Sequence, residues 1–180
     1  MKRKSALGIV LIIIIILISM NLFSRQKDEV LKVGDQVPSF SLLDQDGKLF
    51  DIKDVVGKEN LVIYFYPKDD TPGCTKQACS FRDSFSQFET LNATVIGISS
   101  DSVESHREFA DKYQLQFSLL SDTEGKVRAL FGVKNDVLGL IPGRVSYIVD
   151  KNGVIISIYN NQFGSVKHIE NALEVLRLKA

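Results

Sequence analysis

The chain alternates short apolar runs with segments in which apolar residues recur every three or four positions. "SFSLLD" and "KLFDI" flank Asp46-Gly47 and read as two strands joined by a tight hairpin turn. "NLVIYFY", Asn60 to Tyr66, is apolar almost throughout and rich in branched and aromatic side chains, as a strand covered on both faces should be. Pro67 ends it. From Cys74 to Leu91 the apolar positions are Ala78, Phe81, Phe85, Phe88 and Leu91, steps of three and four that predict one amphipathic helix. "TVIGIS", Thr94 to Ser99, predicts the next buried strand. Ser102 to Tyr113 predicts a helix capped by Ser102, with Val103, Phe109, Ala110 and Tyr113 as its apolar positions. A short strand in "FSLLSD" and a short helix over Glu124 to Phe131 follow. "RVSYIVD" and "GVIISIY" flank Lys151-Asn152 as a second hairpin. "VKHIENALEVLRL" closes the chain as a helix with Ile169, Leu173 and Leu176 on one face.

Strands alternating with helices predict an α/β sandwich. The C-terminal hairpin adds antiparallel strands to a sheet that begins with parallel crossovers. A mixed central sheet flanked by helices suits a thioredoxin-like fold, although periodicity alone leaves flavodoxin-like folds open. The length fits one domain, expected over residues 36–180, with the polar stretch 24–35 as a tether.

Charge sharpens the reading of the N-terminus. Of the 22 basic residues, Lys2, Arg3, Lys4, Arg25 and Lys27 precede the first acidic residue, Asp28; the remainder carries 17 basic against 22 acidic residues. No basic stripe runs through that part, which argues against nucleic acid as a partner. Between the basic groups, Ala6 to Phe23 is an 18-residue apolar run. Its strictly apolar core, Leu7 to Ile18, is 12 residues, the length of a signal-peptide core, while the whole run could make a short span. No small-x-small cleavage site follows it, so residues 1–23 are expected to be an uncleaved membrane anchor in preference to a cleaved signal. The excess of basic residues before the run predicts a C-terminal domain outside the cytoplasm.

The only cysteines are Cys74 and Cys79, in "YPKDDTPGCTKQAC". The loop from Pro67 to Gly73 lies between a strand end and a helix start, where α/β sheets bind ligands. A cysteine in the first turn of a helix sits among unpaired N–H groups at the positive end of the helix dipole, and both favour thiolate. On one straight helix, residues five apart are separated by about 7.5 Å along the axis and about 140° around it. A disulfide needs α-carbons within about 7 Å. The pair therefore suits a bond that forms after a local opening better than it suits a structural staple. A structural disulfide and two inert buried cysteines are the bland alternatives. A metal site lacks ligand spacing, because His106 and His168 stand apart from the cysteines and are expected on helix surfaces. A CxxC thiol–disulfide reductase is the rival on fold grounds, but four residues intervene here in place of two.

"FYPKDDTPGCTKQACSFRD" resembles the active-site signature of the peroxiredoxins, in the branch called peroxiredoxin Q or bacterioferritin comigratory protein. The resemblance runs from about Val33 to Leu178 and includes "DSVESHREFADKYQLQFSLLSD" and "VLGLIPGRVSYIVDKNGVI". It implies a thioredoxin fold and thiol-dependent reduction of hydrogen peroxide and organic hydroperoxides, without metal, flavin or haem. Cys74 resembles the peroxidatic cysteine and Cys79 the resolving one, with an internal disulfide between them. Thr71 matches a threonine that hydrogen-bonds peroxide and thiolate, and Pro67 a proline that shields the pocket. Arg144 matches a distant arginine that stabilises the thiolate, with Arg82 and Arg128 as competitors on composition alone. The N–H groups of Gly73 and Cys74 could donate to the peroxide. The implied reductant is thioredoxin or a thioredoxin-like protein, and the molecule is expected to be a monomer. The family's soluble members lack the apolar N-terminal run. The rivals are a thioredoxin-like oxidoreductase acting on protein disulfides, and a non-enzymatic surface module holding a structural disulfide.

Overall fold

A computed structural model describes residues 31–179, so the apolar run at 6–23 lies outside the described residues. The elements are β1 (Ser41–Asp44), β2 (Leu49–Asp51), β3 (Asn60–Phe65), α1 (Pro72–Asp83), α2 (Phe85–Thr90), β4 (Ala93–Ser99), α3 (Val103–Tyr113), β5 (Ser118–Ser121), α4 (Lys126–Leu130), β6 (Asn135–Asp136), β7 (Ile141–Pro142), β8 (Val145–Val149), β9 (Ile155–Asn160) and α5 (Lys167–Arg177). Seven strands form one sheet in the order β2-β1-β5-β4-β3-β8-β9, and β6 pairs with β7 in a separate small hairpin. β3, β4 and β5 are parallel neighbours; β8 pairs antiparallel with β3 on its other side. This is the thioredoxin-like mixed sheet expected.

The period of two in β3 explains why its sequence reads as a continuous apolar run. Val62, Tyr64 and Tyr66 face a core shared with Phe81, Phe88, Phe109 and Leu173, from helices α1, α2, α3 and α5. Leu61, Ile63 and Phe65 face a second core with Ile52, Val127 and Phe131. Both faces are covered, so no position on the strand needs a polar residue. Gly97 of β4 is required by close approach: a Cβ there would stand 2.7 Å from the ring and hydroxyl of Tyr64.

Three expectations change. The single helix over Cys74–Leu91 is two, because Ser84 closes α1 with φ −103° and ψ 5°, its N–H reaching back to the carbonyls of Ser80 and Phe81. The apolar steps run through the break without marking it. The helix starts at Pro72, two residues before Cys74, since proline fits the first helical position. The tether expected over 24–35 ends inside the domain: Gly34 and Asp35 hydrogen-bond to Ile155 (Gly34 N to Ile155 O 2.8 Å, Ile155 N to Asp35 O 2.9 Å). The hairpin β6–β7, turning through Val137–Leu140, is an addition to the elements expected.

Candidate active site

The pairing of β3 with β8 builds the site. Phe65 stands opposite Val145, so the end of β3 meets the start of β8. Tyr66 and the loop that follows therefore lie beside Arg144. Arg144 is 4% exposed and Cys74 2%. The Arg144 Nη2 donates to Cys74 Sγ at 3.3 Å. Its Nη1 donates to Gln77 Oε1, and its Nε to the Gln162 carbonyl at 3.1 Å. A buried guanidinium with each nitrogen engaged is a fixed cation aimed at sulfur. The competing arginines point elsewhere: Arg82 pairs with Asp83 and donates to the Tyr113 carbonyl, while Arg128 braces the carbonyls of Tyr66 and Gly143.

The sulfur sits in the first turn of α1. Thr71 is the N-cap, in extended conformation, and the first helical bond runs from Thr75 N to Thr71 O at 2.8 Å. The N–H groups of Gly73 and Cys74 thus precede the helical ladder and are free to meet an anion or a peroxide oxygen. A Cβ on Gly73 would stand 3.3 Å from Arg144 Nη2, so glycine there keeps the approach to the guanidinium open. Thr71 and Pro67 are half-buried in the loop that leads into α1; the Thr71 hydroxyl donates to the Lys68 carbonyl at 3.1 Å. Cys79 lies on the same helix, half-buried, and both thiols are free.

Four supporting side chains escaped the sequence reading. Gln77 follows Cys74 by three residues, a spacing that puts the two on one helix face and could have found it. Asp69 is buried and accepts from Tyr66 Oη (2.7 Å), Ser105 Oγ (2.8 Å) and His106 Nδ1 (2.8 Å). Both histidines, expected on helix surfaces, are fully buried. His106 sits under the thiol loop. His168 Nε2 donates to the Asn161 carbonyl at 2.9 Å and Nδ1 accepts from Ser146 Oγ at 2.8 Å. Burial, with the nearby Arg144 charge adding to it against the Asn161 hydrogen bond, brings the His168 pKa down to about 4. The ring is therefore neutral at pH 7 and can serve the loop that holds Gln162 without placing a second cation by Arg144. Burial also pushes the Tyr64 and Tyr66 phenols well above their ordinary range, so both stay neutral at pH 7. Asp70 takes a left-handed conformation (φ 55°) and is held by Lys112 Nζ at 2.5 Å and Tyr113 Oη at 2.7 Å, which keep its carboxyl below the ordinary range.

Residues 33–158 match the AhpC/TSA family. The chloroplastic peroxiredoxin Q of Sedum lineare is 52% identical over 144 residues, 80% of this chain and 77% of that protein. The crystal structure of the peroxidoxin BcpB from Mycobacterium tuberculosis superposes with a TM-score of 0.77 at 36% identity, covering 83% of this chain and 99% of that one. The bacterioferritin comigratory protein of Xanthomonas campestris, described with alkyl peroxide reduction activity, gives a TM-score of 0.73 at 25% identity over 81% and 99% of the two chains. The membrane-anchored, extracytoplasmic placement expected from residues 6–23 is overturned by these comparisons, because relatives at 52% and 53% identity are chloroplastic proteins. Among the described residues no helix is long and apolar enough to cross a membrane. The length and charge of an apolar run set what it can span, not where a chain is sent. A thiol at a helix start, a buried guanidinium on its sulfur and this kinship lead to one conclusion: the chain belongs to the AhpC/TSA family and is a thiol-dependent peroxidase, a peroxiredoxin of the peroxiredoxin Q branch.

Proposed function

We propose that Cys74 is the peroxidatic residue and Cys79 the resolving one in a cycle that reduces hydrogen peroxide and organic hydroperoxides. The observation that carries this reading is the 3.3 Å contact from Arg144 to Cys74 Sγ at the start of α1. The Cys74 thiolate attacks the outer oxygen of the peroxide. The O–O bond breaks, its electron pair leaves with the inner oxygen, and that oxygen takes a proton to become water or an alcohol. Arg144 and the N–H groups of Gly73 and Cys74 face the charge that develops there, while Thr71 and Pro67 close the pocket. Cys74 is now a sulfenic acid. Cys79 attacks its sulfur, water departs, and a Cys74–Cys79 disulfide remains. Two thiols on one helix cannot meet while it stands, so the first turn and a half of α1 must unwind before this step. A thioredoxin-like dithiol then returns the two electrons. The alkyl peroxide activity of the Xanthomonas campestris relative favours organic hydroperoxides among the substrates.

Hydrogen peroxide consumption by the full chain, with dithiothreitol as reductant, tests the assignment. Cys74→Ser should abolish turnover. Cys79→Ser should still take up one oxidising equivalent per chain, read by mass. Turnover that survives Cys74→Ser, or a disulfide already formed before any peroxide is added, would overturn the roles of the two cysteines.

A further inference from the structure

The loop from Pro67 to Thr71 leads into α1 and Cys74, and it lies in no strand or helix itself. Its first helical bond comes only at Thr75 N to Thr71 O. Two carboxylates tie it to α3. Asp70 does so at the exposed surface, where an ion pair is screened and holds weakly. Asp69 does so in the interior, at 6% exposure, against a fully buried His106. The Asp69 carboxylate receives Tyr66 Oη, Ser105 Oγ and His106 Nδ1, and its own N–H donates to Asp101 Oδ2 at 2.9 Å. On the far side of the ring, His106 Nε2 meets the Leu120 carbonyl at 3.2 Å. Leu120 belongs to β5, hydrogen-bonded in the sheet beside Ile98. A line of contacts thus runs from the sheet, through the imidazole, to the loop that places the reacting groups.

Such a pair is costly to bury and adds little stability that apolar residues could not supply. What apolar residues could not supply is a fixed position for the loop. We infer that His106 is a positioning residue for the peroxide step, acting through Asp69 to fix the loop of Pro67 and Thr71 that leads into Cys74. This rests on the reading of Cys74 as the peroxidatic residue. A misplacement of about 1 Å at a reacting centre can cost roughly a hundredfold in rate, so a modest release of the loop is measurable.

Two replacements of one residue separate positioning from mere packing. In His106→Asn the amide nitrogen stands near the place of Nδ1 and can still donate to Asp69. In His106→Gln the amide reaches toward Leu120 and leaves Asp69 without that donor. Both lose the ring and should lose similar thermal stability. The rate of Cys74 oxidation by hydrogen peroxide, followed by rapid quench and mass, should fall roughly tenfold in His106→Gln and stay within about threefold of wild type in His106→Asn. Asp69→Asn should match His106→Gln, and it carries the comparison if His106→Gln does not fold. Equal rates in the two His106 variants, with Cys74→Ser inactive, would overturn the positioning role alone. Oxidation that persists in Cys74→Ser would overturn the functional reading and this inference with it.

Discussion

Cys74 and Arg144 meet from opposite kinds of scaffold. The sulfur rides on the first turn of a helix, behind a loop held by side chains. The guanidinium stands on the residue just before β8, a strand paired with β3 on one side and β9 on the other, and each of its nitrogens has a partner. A helix end opens by breaking a few hydrogen bonds, whereas a strand inside a sheet opens only with its neighbours. In the proposed cycle the thiol half must unwind and the cationic half must not. Mobility and charge are thus assigned to separate elements, and one can be altered without the other.

The strongest way to break that separation is to remove the cation. Arg144→Met should slow Cys74 oxidation by roughly 10²- to 10³-fold, the usual loss of one preorganised charge-stabilising donor. Alkylation of Cys79 by a small reagent should change by less than about twofold, as expected for groups that do not share partners. A loss of under tenfold in oxidation would mean that the helix start alone stabilises the sulfur.

A milder test uses acid on the cationic half. The His168 pKa lies at about 4 in the fold against 6.5 for the free group. A base with a depressed folded pKa contributes stability that is full above pH 6.5 and is lost as the pH falls toward 4, because the unfolded chain binds the proton first. Between pH 7 and pH 5 this one group should cost about 2 kcal/mol. Urea unfolding of wild type and His168→Gln at the two pH values should differ by that amount; equal acid losses would show that the ring does not stay neutral in the fold.

The smallest effect falls on the thiol half. Thr75→Ala replaces a β-branched residue between the cysteines with the best helix former and should firm α1 by roughly 0.5 kcal/mol. Disulfide closure should slow about twofold while the first oxidation is unchanged. Closure at the wild-type rate would mean that unwinding does not limit it.

Much of the fold was legible because its signals are local. β3 declares burial on both faces and two hairpins carry turn residues, whereas α1 begins at Pro72, two residues before the Cys74 start that the apolar pattern predicts. The break at Ser84 was hidden because the phenylalanines of two helices happen to keep step. The histidines were misplaced because each is defined by partners remote in the chain, Asp69 and Leu120 for one, Ser146 and Asn161 for the other. Arg144 was reached through the family resemblance; periodicity could not choose it over Arg82 or Arg128, since the Phe65–Val145 register that delivers it has no local trace.

That register also bears on the molecule before it is finished. The loop closed by pairing Phe65 with Val145 is long, and long loops close slowly. A growing or refolding chain can therefore assemble α1 and the strands around it while no guanidinium stands at the thiol. In the proposed cycle its cysteine then has the helix start but no cation beside it until the two central strands lock together. In that cycle, full reactivity toward peroxide would come only with the completed fold, because its two halves are joined by the last pairing to close.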